Sequence, residues 1–197
     1  MSPIVVLASQ SPNRLALLQK IGIEPIVHVS DFEENLSKEL PVREFVEKTA
    51  EGKLEVVLAE KRKKNEPFDV IIAADTVIWV DGKIIGKPED RQNAIETLKS
   101  IRKRGHFVYS GVALAYRDGS TETFSVETEV HMANYSDQLI EGYVATGEPM
   151  NKAGSYGIQN RGAVLVERLN GCFYNVVGLP LAEIVARLSA RGIPIFC

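Results

Sequence analysis

Hydrophobic residues form two kinds of run along this chain, short continuous runs and longer runs with a helical period. Ile4–Ala8 and Val70–Val80 are nearly continuous apolar runs, which are typical of buried strands. Between them, Pro41 starts a stretch to about Lys61 whose apolar residues fall on one stripe at about 100° per residue. This stretch predicts a long amphipathic helix between two buried strands.

The same periods and the turn residues predict the other elements. We expect strands at Glu24–Val29, Phe107–Tyr116, Thr121–Met132 and Ala163–Arg168, and helices opened by Pro12, Asp90, Ser136 and Pro180. Asp81-Gly82 predicts a tight hairpin directly after the second buried strand. Interspersed strands and helices predict a mixed α/β fold, an elongated twisted sheet flanked by helices, with two lobes around a cleft. We expect residues 1–197 to form a single domain.

Composition narrows the class of protein. Hydrophobic residues make up 45% and charged residues 25% of the chain, as in ordinary soluble proteins, and the net charge of −3 argues against a nucleic-acid binder. We expect neither a membrane span nor a signal peptide, because no apolar run is long enough and the N-terminus enters a strand directly. Cys172 and Cys197, far apart in sequence, suit a reduced cytosolic protein. The three histidines have no metal-ligand spacing, so any metal should be a hard cation held by oxygen.

Asp75 is the exception within its apolar strand. An unpaired carboxylate removed from water is strongly unfavourable, so it needs a partner, a metal or a shifted pKa. It could serve chemistry, or it could hold a loop by accepting backbone N–H bonds. Both interpretations are open from the local sequence.

The segment Ser9–Arg14 is a second candidate for chemistry. Ser11 is a favourable N-cap and Pro12 suits the first helical position, so the free N–H groups of a helix would point into a small polar loop. Such a loop can bind an anion, and Arg14 would lean over it from the first turn. Open sheets usually bind ligands at the carboxyl ends of strands, where both this segment and Asp75 are expected. One shared site is therefore predicted.

Lys53 falls near the middle of the apolar stripe of the long helix. Its ammonium group could reach the surface along an extended side chain. It could instead face an interior cleft that holds an anion.

Five ordered motifs resemble those of the Maf-type nucleoside triphosphate pyrophosphatases. They cover nearly the whole chain, from about Ile4 to Leu188, and are Leu7-Ala8-Ser9-Gln10-Ser11-Pro12-Asn13-Arg14, Ala74-Asp75-Thr76-Val77, Gly86-Lys87-Pro88, Lys152–Gln159 and Asn175–Pro180. The resemblance implies hydrolysis of a nucleoside triphosphate between its α- and β-phosphates. It also implies a divalent cation (Mg²⁺ or Mn²⁺), a cytoplasmic location, a homodimer and a fold related to the inosine-triphosphate pyrophosphatases.

The resemblance also implies roles for individual residues. Asp75 matches the catalytic proton acceptor, and Glu34 matches an acidic residue thought to hold the metal, with Asp75 as a second carboxylate ligand. The expected substrate-binding residues are Ser9, Ser11, Asn13, Arg14, Lys53, Thr76, Lys87 and Gln159. Of these, Thr76 and Gln159 match positions linked to substrate choice in the branch that acts on dTTP and UTP.

Two departures from the family pattern leave alternatives open. Asn13 stands where the dTTP/UTP branch usually has arginine, and Glu51-Gly52 stands where the family often has a more basic pair. The leading hypothesis is a house-cleaning pyrophosphatase for dTTP, UTP or modified pyrimidine nucleotides. One alternative is the 7-methyl-GTP pyrophosphatase of the sister branch. The other is a nucleotide-binding regulator of cell division with little turnover.

Overall fold

A computed structural model describes residues 3–33 and 35–195, and within them seven strands form one open sheet flanked by helices. The strands are β1 Val5–Ala8, β2 Ile26–Val27, β3 Val70–Val80, β4 Lys83–Ile85, β5 Gly105–Tyr116, β6 Thr121–Met132 and β7 Val166–Asn170. The helices are α1 Pro12–Lys20, α2 Val42–Lys63, α3 Arg91–Ile101, α4 Asp137–Ala145, α5 Phe173–Val177 and α6 Leu181–Ala190. The predicted mixed α/β fold is confirmed.

The strand order of the sheet is β2-β1-β3-β5-β6-β7, and β4 pairs with the end of β3. β1 pairs in parallel with both β2 and β3, whereas β4 and β7 pair antiparallel with their neighbours. β1 and the first half of β3 are buried on both faces, which explains their continuous apolar sequences.

The chain divides into two compact units, in agreement with the two predicted lobes. The first comprises Met1–Asp75, Ser110–Val126 and Gly178–Cys197, and the second comprises Thr76–Tyr109 and Glu127–Val177. The prediction that the whole chain acts as a single domain stays a prediction.

In the first unit, helices cover both faces of the sheet. On one face α2 packs its apolar stripe against strands β1, β3 and β5, in a cluster formed by Val6, Ala8, Ala50, Leu54, Val57, Leu58, Ile71, Ala73, Ala113 and Ala115. On the other face α6 places Arg187 over the ring of Phe124, and Arg191, directly after α6, lies over the ring of Tyr116. Although α2 has 22 residues, neither it nor another helix in the described parts of the chain has the apolar length to cross a membrane.

In the second unit, α3 and α4 pack on the end of β3 and on β5 and β6. Their shared core contains Ile78, Val80, Ala94, Leu98, Ile101, Val108, Val130, Met132, Tyr135, Ile140, Tyr143, Val144, Tyr156 and Leu165. Asp90 and Ser136 cap the two helices by accepting from the N–H groups of Asn93 and Leu139, as the sequence predicts.

The strand predicted over Ala163–Arg168 begins later than expected. Met132 at the end of β6 pairs with Val166, so the residues before Val166 extend past the end of β6. They form a 3-10 helix over Arg161–Leu165, and the strand β7 follows it. The short helix α5 was not expected from the sequence.

His106 is a buried titratable group in the second unit, with 2% of its surface exposed. Its Nε2 lies 2.8 Å from Tyr156 Oη. Burial, and to a lesser extent the nearby ring of His131, lowers the pKa of His106 to about 4. His131 is itself paired with Glu129. The fold therefore holds His106 in its neutral form.

This lowered pKa predicts a loss of stability in mild acid. Between about pH 6.5 and pH 4 the unfolded chain binds a proton at this histidine and the folded chain does not, so stability falls as the pH falls. We expect wild-type protein to lose about 2 kcal/mol more unfolding free energy between pH 7 and pH 4.5 than the His106→Gln variant loses. Urea unfolding at the two pH values measures this difference, and equal losses in the two proteins would contradict it.

Candidate active site

Lys53 and Asp75 form an ion pair in the first unit, with Lys53 Nζ 2.9 Å from Asp75 Oδ1. Alternation along β3 places Asp75 on the same face as Ile71 and Ala73, which is the face that α2 covers. Lys53 lies on the apolar stripe of α2 next to Leu54, so it faces the same side of the sheet as Asp75. The two side chains are 13% and 12% exposed.

This pair shows how the fold accommodates two residues that stand out in the sequence. Lys53 faces the interior rather than reaching to the surface, and Asp75 has a cationic side chain as its partner. A carboxylate held this way is strongly shielded from water, and its charge is compensated by the ammonium group. Slight exposure of both side chains leaves them within reach of solvent.

The loop after β1 lies beside Asp75 because of the strand register. Ala8 at the end of β1 pairs with Ala73, two residues before Asp75. Ser9 follows immediately and is buried, and its Oγ accepts hydrogen bonds from the Ser11 backbone N–H (3.1 Å) and from Arg14 Nη1 (3.2 Å). The register therefore brings this loop near Asp75, although Asp75 lies in the middle of β3 and not at its carboxyl end as expected. One shared site stays a prediction.

Two details of this loop differ from the sequence-based expectation. Ser11 is at the N-cap position, but its side chain makes no capping hydrogen bond. Its own backbone N–H donates to Ser9 Oγ. Arg14 also donates from Nε to the Gly178 carbonyl oxygen at 2.9 Å, which ties its guanidinium group to the last motif. The sequence identified that motif but not the carbonyl that orients Arg14.

Three further candidates, Thr76, Lys87 and Gln159, belong to the second unit, where two motifs are hydrogen bonded together. The Gly154 N–H donates to the Gly86 carbonyl oxygen at 3.0 Å, so the glycine-rich loop that leads to Gln159 meets the turn that carries Lys87. Lys87 and Gln159 are exposed, and Thr76 is half-buried at the point where β3 enters this unit. Asn13 is half-buried on α1 of the first unit, whereas Glu34 lies outside the described residues.

The structure explains why glycine occupies position 52, which the family motifs did not explain. The Phe32 ring rests directly on its Cα, so a Cβ added at Gly52 would lie 2.3 Å from Phe32 Cε2. Glycine at this helical position therefore lets the acidic loop around Phe32 pack against α2, one residue from Lys53.

We expect Gly52→Ala to destabilise the protein, although glycine to alanine inside a helix normally stabilises by about 1 kcal/mol. The reason is that the new methyl group must displace the Phe32 ring. In a Phe32→Ala background the same change should raise the unfolding free energy, because the obstacle is gone. Chemical unfolding of the four proteins tests this reversal, and an equal effect of Gly52→Ala in both backgrounds would rule it out.

The donor chemistry of this end of the first unit fits a hard divalent cation. Mg²⁺ is usually held by one or two carboxylates together with substrate phosphates, and Asp75 supplies such a carboxylate. Among residues 3–33 and 35–195, no group of three or more His, Cys, Asp or Glu side chains could hold a metal by itself. A site of this kind would therefore need the substrate as a ligand.

The fold belongs to a known class. A solved structure of a HAM1 protein from Coxiella burnetii superposes with a TM-score of 0.51 and 15% sequence identity, covering 96% of this chain and 100% of that one. At this identity the match establishes the fold alone. The predicted relation to the inosine-triphosphate-pyrophosphatase-like fold is confirmed.

Sequence comparison then gives the family. The sequence model of the Maf-like protein family matches residues 4–191. A dTTP/UTP pyrophosphatase of Dictyoglomus turgidum is 47% identical over 191 residues, covering 95% of this chain and 96% of the relative. Another from Bacillus velezensis is 42% identical over 193 residues, covering 98% and 99%. The chain belongs to the Maf-like protein family.

Proposed function

We propose that this protein is a nucleoside triphosphate pyrophosphatase that hydrolyses dTTP, UTP and modified pyrimidine nucleotides to the monophosphate and pyrophosphate. The buried Lys53–Asp75 pair beside the loop after β1 is the observation that carries the proposal. The full-length relatives named dTTP/UTP pyrophosphatase support the reaction and the choice of base.

In this reaction Asp75 accepts a proton from the attacking water. The water oxygen forms a bond to the α-phosphorus, the bond between that phosphorus and the bridging oxygen breaks, and pyrophosphate leaves. Lys53 keeps the Asp75 carboxylate in one orientation and supplies positive charge next to it. Catalysis of phosphoryl transfer is largely positioning and electrostatics, which a preformed pair of this kind provides.

Arg14, Lys53 and Lys87 are the proposed phosphate ligands, with Ser9, Ser11 and the N-terminus of α1. Arg14 is held by Ser9 and Gly178, so its planar guanidinium group is preorganised for a phosphate. A bound Mg²⁺ or Mn²⁺, held by Asp75 and Glu34, would supply further charge neutralisation along the triphosphate. Thr76, Gln159 and Asn13 are the proposed determinants of base choice.

The family resemblance adds expectations about the setting of the protein. We expect a single domain that works as a cytoplasmic homodimer, without a nucleic-acid partner. These expectations do not affect the proposed chemistry.

Replacing the proposed proton acceptor tests the reaction. We expect Asp75→Asn to lower kcat for pyrophosphate release by about 100-fold or more, because the amide cannot accept the proton. Asp69→Asn is the matched control, since Asp69 precedes the same strand but pairs with Arg117 and accepts from the Ile4 N–H. It should lose stability and keep its kcat. Full activity of a folded Asp75→Asn protein would refute the assignment.

A nucleotide panel separates the proposed substrates from those of the sister branch. With Mg²⁺ or Mn²⁺ present, we expect dTTP and UTP to give the highest kcat/KM among the common nucleoside triphosphates and 7-methyl-GTP. Pyrophosphate released from each nucleotide is the readout. A highest value for 7-methyl-GTP would assign the protein to the sister activity, and binding without metal-dependent release would favour a regulator.

A further inference from the structure

The segment Gly157–Gly162, here called the tip loop, carries Gln159 in the second unit. Its two ends lie against each other, since a Cβ added at Gly162 would be 2.6 Å from the Gly157 carbonyl oxygen and 2.6 Å from Tyr143 Oη. Gln159 and Asn160 are exposed between these ends, whereas Gly162 is buried. The loop is therefore closed at its base and projects Gln159 outward.

Two side chains outside the loop hold its two ends together. Tyr143 Oη accepts from the Gly157 N–H at 3.1 Å and donates to Glu148 Oε1 at 3.1 Å. Glu148 Oε1 also accepts from the Gly162 N–H, and Glu148 Oε2 accepts from the Arg161 N–H, each at 3.2 Å. The pair thus takes one backbone donor from the start of the loop and two from its end.

The pair is itself anchored in the core of the second unit. Tyr143 is 4% exposed on α4, among the apolar residues that α3 and α4 share. Burial, and then the adjacent Glu148 charge, raises the pKa of the Tyr143 hydroxyl above its ordinary value, so it remains a donor at neutral pH. The Glu148 N–H donates to Thr146 Oγ1, which fixes Glu148 directly after α4. A rigid helix therefore sets the position of a short exposed loop.

We propose that Tyr143 and Glu148 are positioning residues for base selection, which act by holding the tip loop so that Gln159 presents its amide in one place. This inference rests on the proposed function, in which Gln159 contacts the base. A side-chain amide can discriminate between nucleotide bases only if its N–H donor and its oxygen acceptor are held in fixed positions. A mobile amide can hydrogen bond to the edges of many different bases. Loosening the loop should therefore affect selectivity more than binding of the triphosphate.

Tyr143→Phe is the direct test, because it removes one hydroxyl and leaves the ring in the core. The variant loses the hydrogen bonds of one hydroxyl group that hold the loop. We therefore expect its selectivity for pyrimidine over purine nucleotides to fall about three- to tenfold. Tyr135→Phe is the matched control: Tyr135 belongs to the same core, but its hydroxyl donates to the Leu98 carbonyl at 2.9 Å. Glu148→Gln is a second variant at a half-buried position.

Selectivity is best measured as the ratio of dissociation constants for the non-hydrolysable α,β-methylene analogues of dTTP and GTP. We expect the ratio to fall in Tyr143→Phe and Glu148→Gln and to stay at the wild-type value in Tyr135→Phe. In a Gln159→Ala background, Tyr143→Phe should have no further effect on the ratio, because the residue it positions is absent. Hydrogen exchange at the Gly157 and Gly162 amides should accelerate in Tyr143→Phe and Glu148→Gln and keep the wild-type rate in Tyr135→Phe.

A purely structural role predicts a different outcome. In that case Tyr143→Phe would weaken both analogues by the same factor, or would act additively with Gln159→Ala, and either result overturns the inference. A wild-type protein that binds both analogues equally also overturns it. Failure of the proposed function is a separate result, namely no pyrophosphate release from any nucleotide, whatever the binding ratio.

Discussion

The ion pair between Lys53 and Asp75 is the interaction on which the rest of the candidate site depends. Each charge is acceptable in the apolar interior because the other compensates it, and removing one partner from such a pair costs about 3 kcal/mol or more. The pair requires α2 to lie close to the sheet. Gly111 permits this approach, since a Cβ there would be 2.2 Å from the Val46 carbonyl oxygen. A side chain at position 111 would move the whole helix and Lys53 with it.

Sequence periodicity identified both members of this pair as exceptions, a lysine in an apolar stripe and an aspartate in an apolar strand. Periodicity could not predict that the two residues form an ion pair, because their contact depends on where α2 lies along the sheet. The close approach at Gly111 also contributes to the contact, and no local pattern reveals it. The loop after β1 was easier to predict, since β1 is a short apolar run and the motif residues follow it directly. Asp75 was expected at the carboxyl end of β3, but β3 continues to Val80.

Other features escaped prediction because they come from contacts between distant segments. The Gly178 carbonyl that orients Arg14 is a backbone atom, so it leaves no trace in residue type. In the sequence, Gly52 stood out only as part of a less basic pair than the family usually has. In the structure, the Phe32 ring packs against it. The segment before β7 looked like a strand because it is apolar. However, β6 offers it no pairing partner, and the residues form a 3-10 helix.

The residues proposed for chemistry and Gln159, which is proposed for base selection, are held in different ways. Asp75, Lys53 and Ser9 are attached to buried strands and a long helix, so displacing them requires disruption of a core. Gln159 is exposed on a short loop whose base is held by a few hydrogen bonds to Tyr143 and Glu148. Changes at the loop therefore cost little stability, whereas changes around Asp75 cost much. Substitutions at Gln159 can therefore alter base choice without disturbing the groups that react.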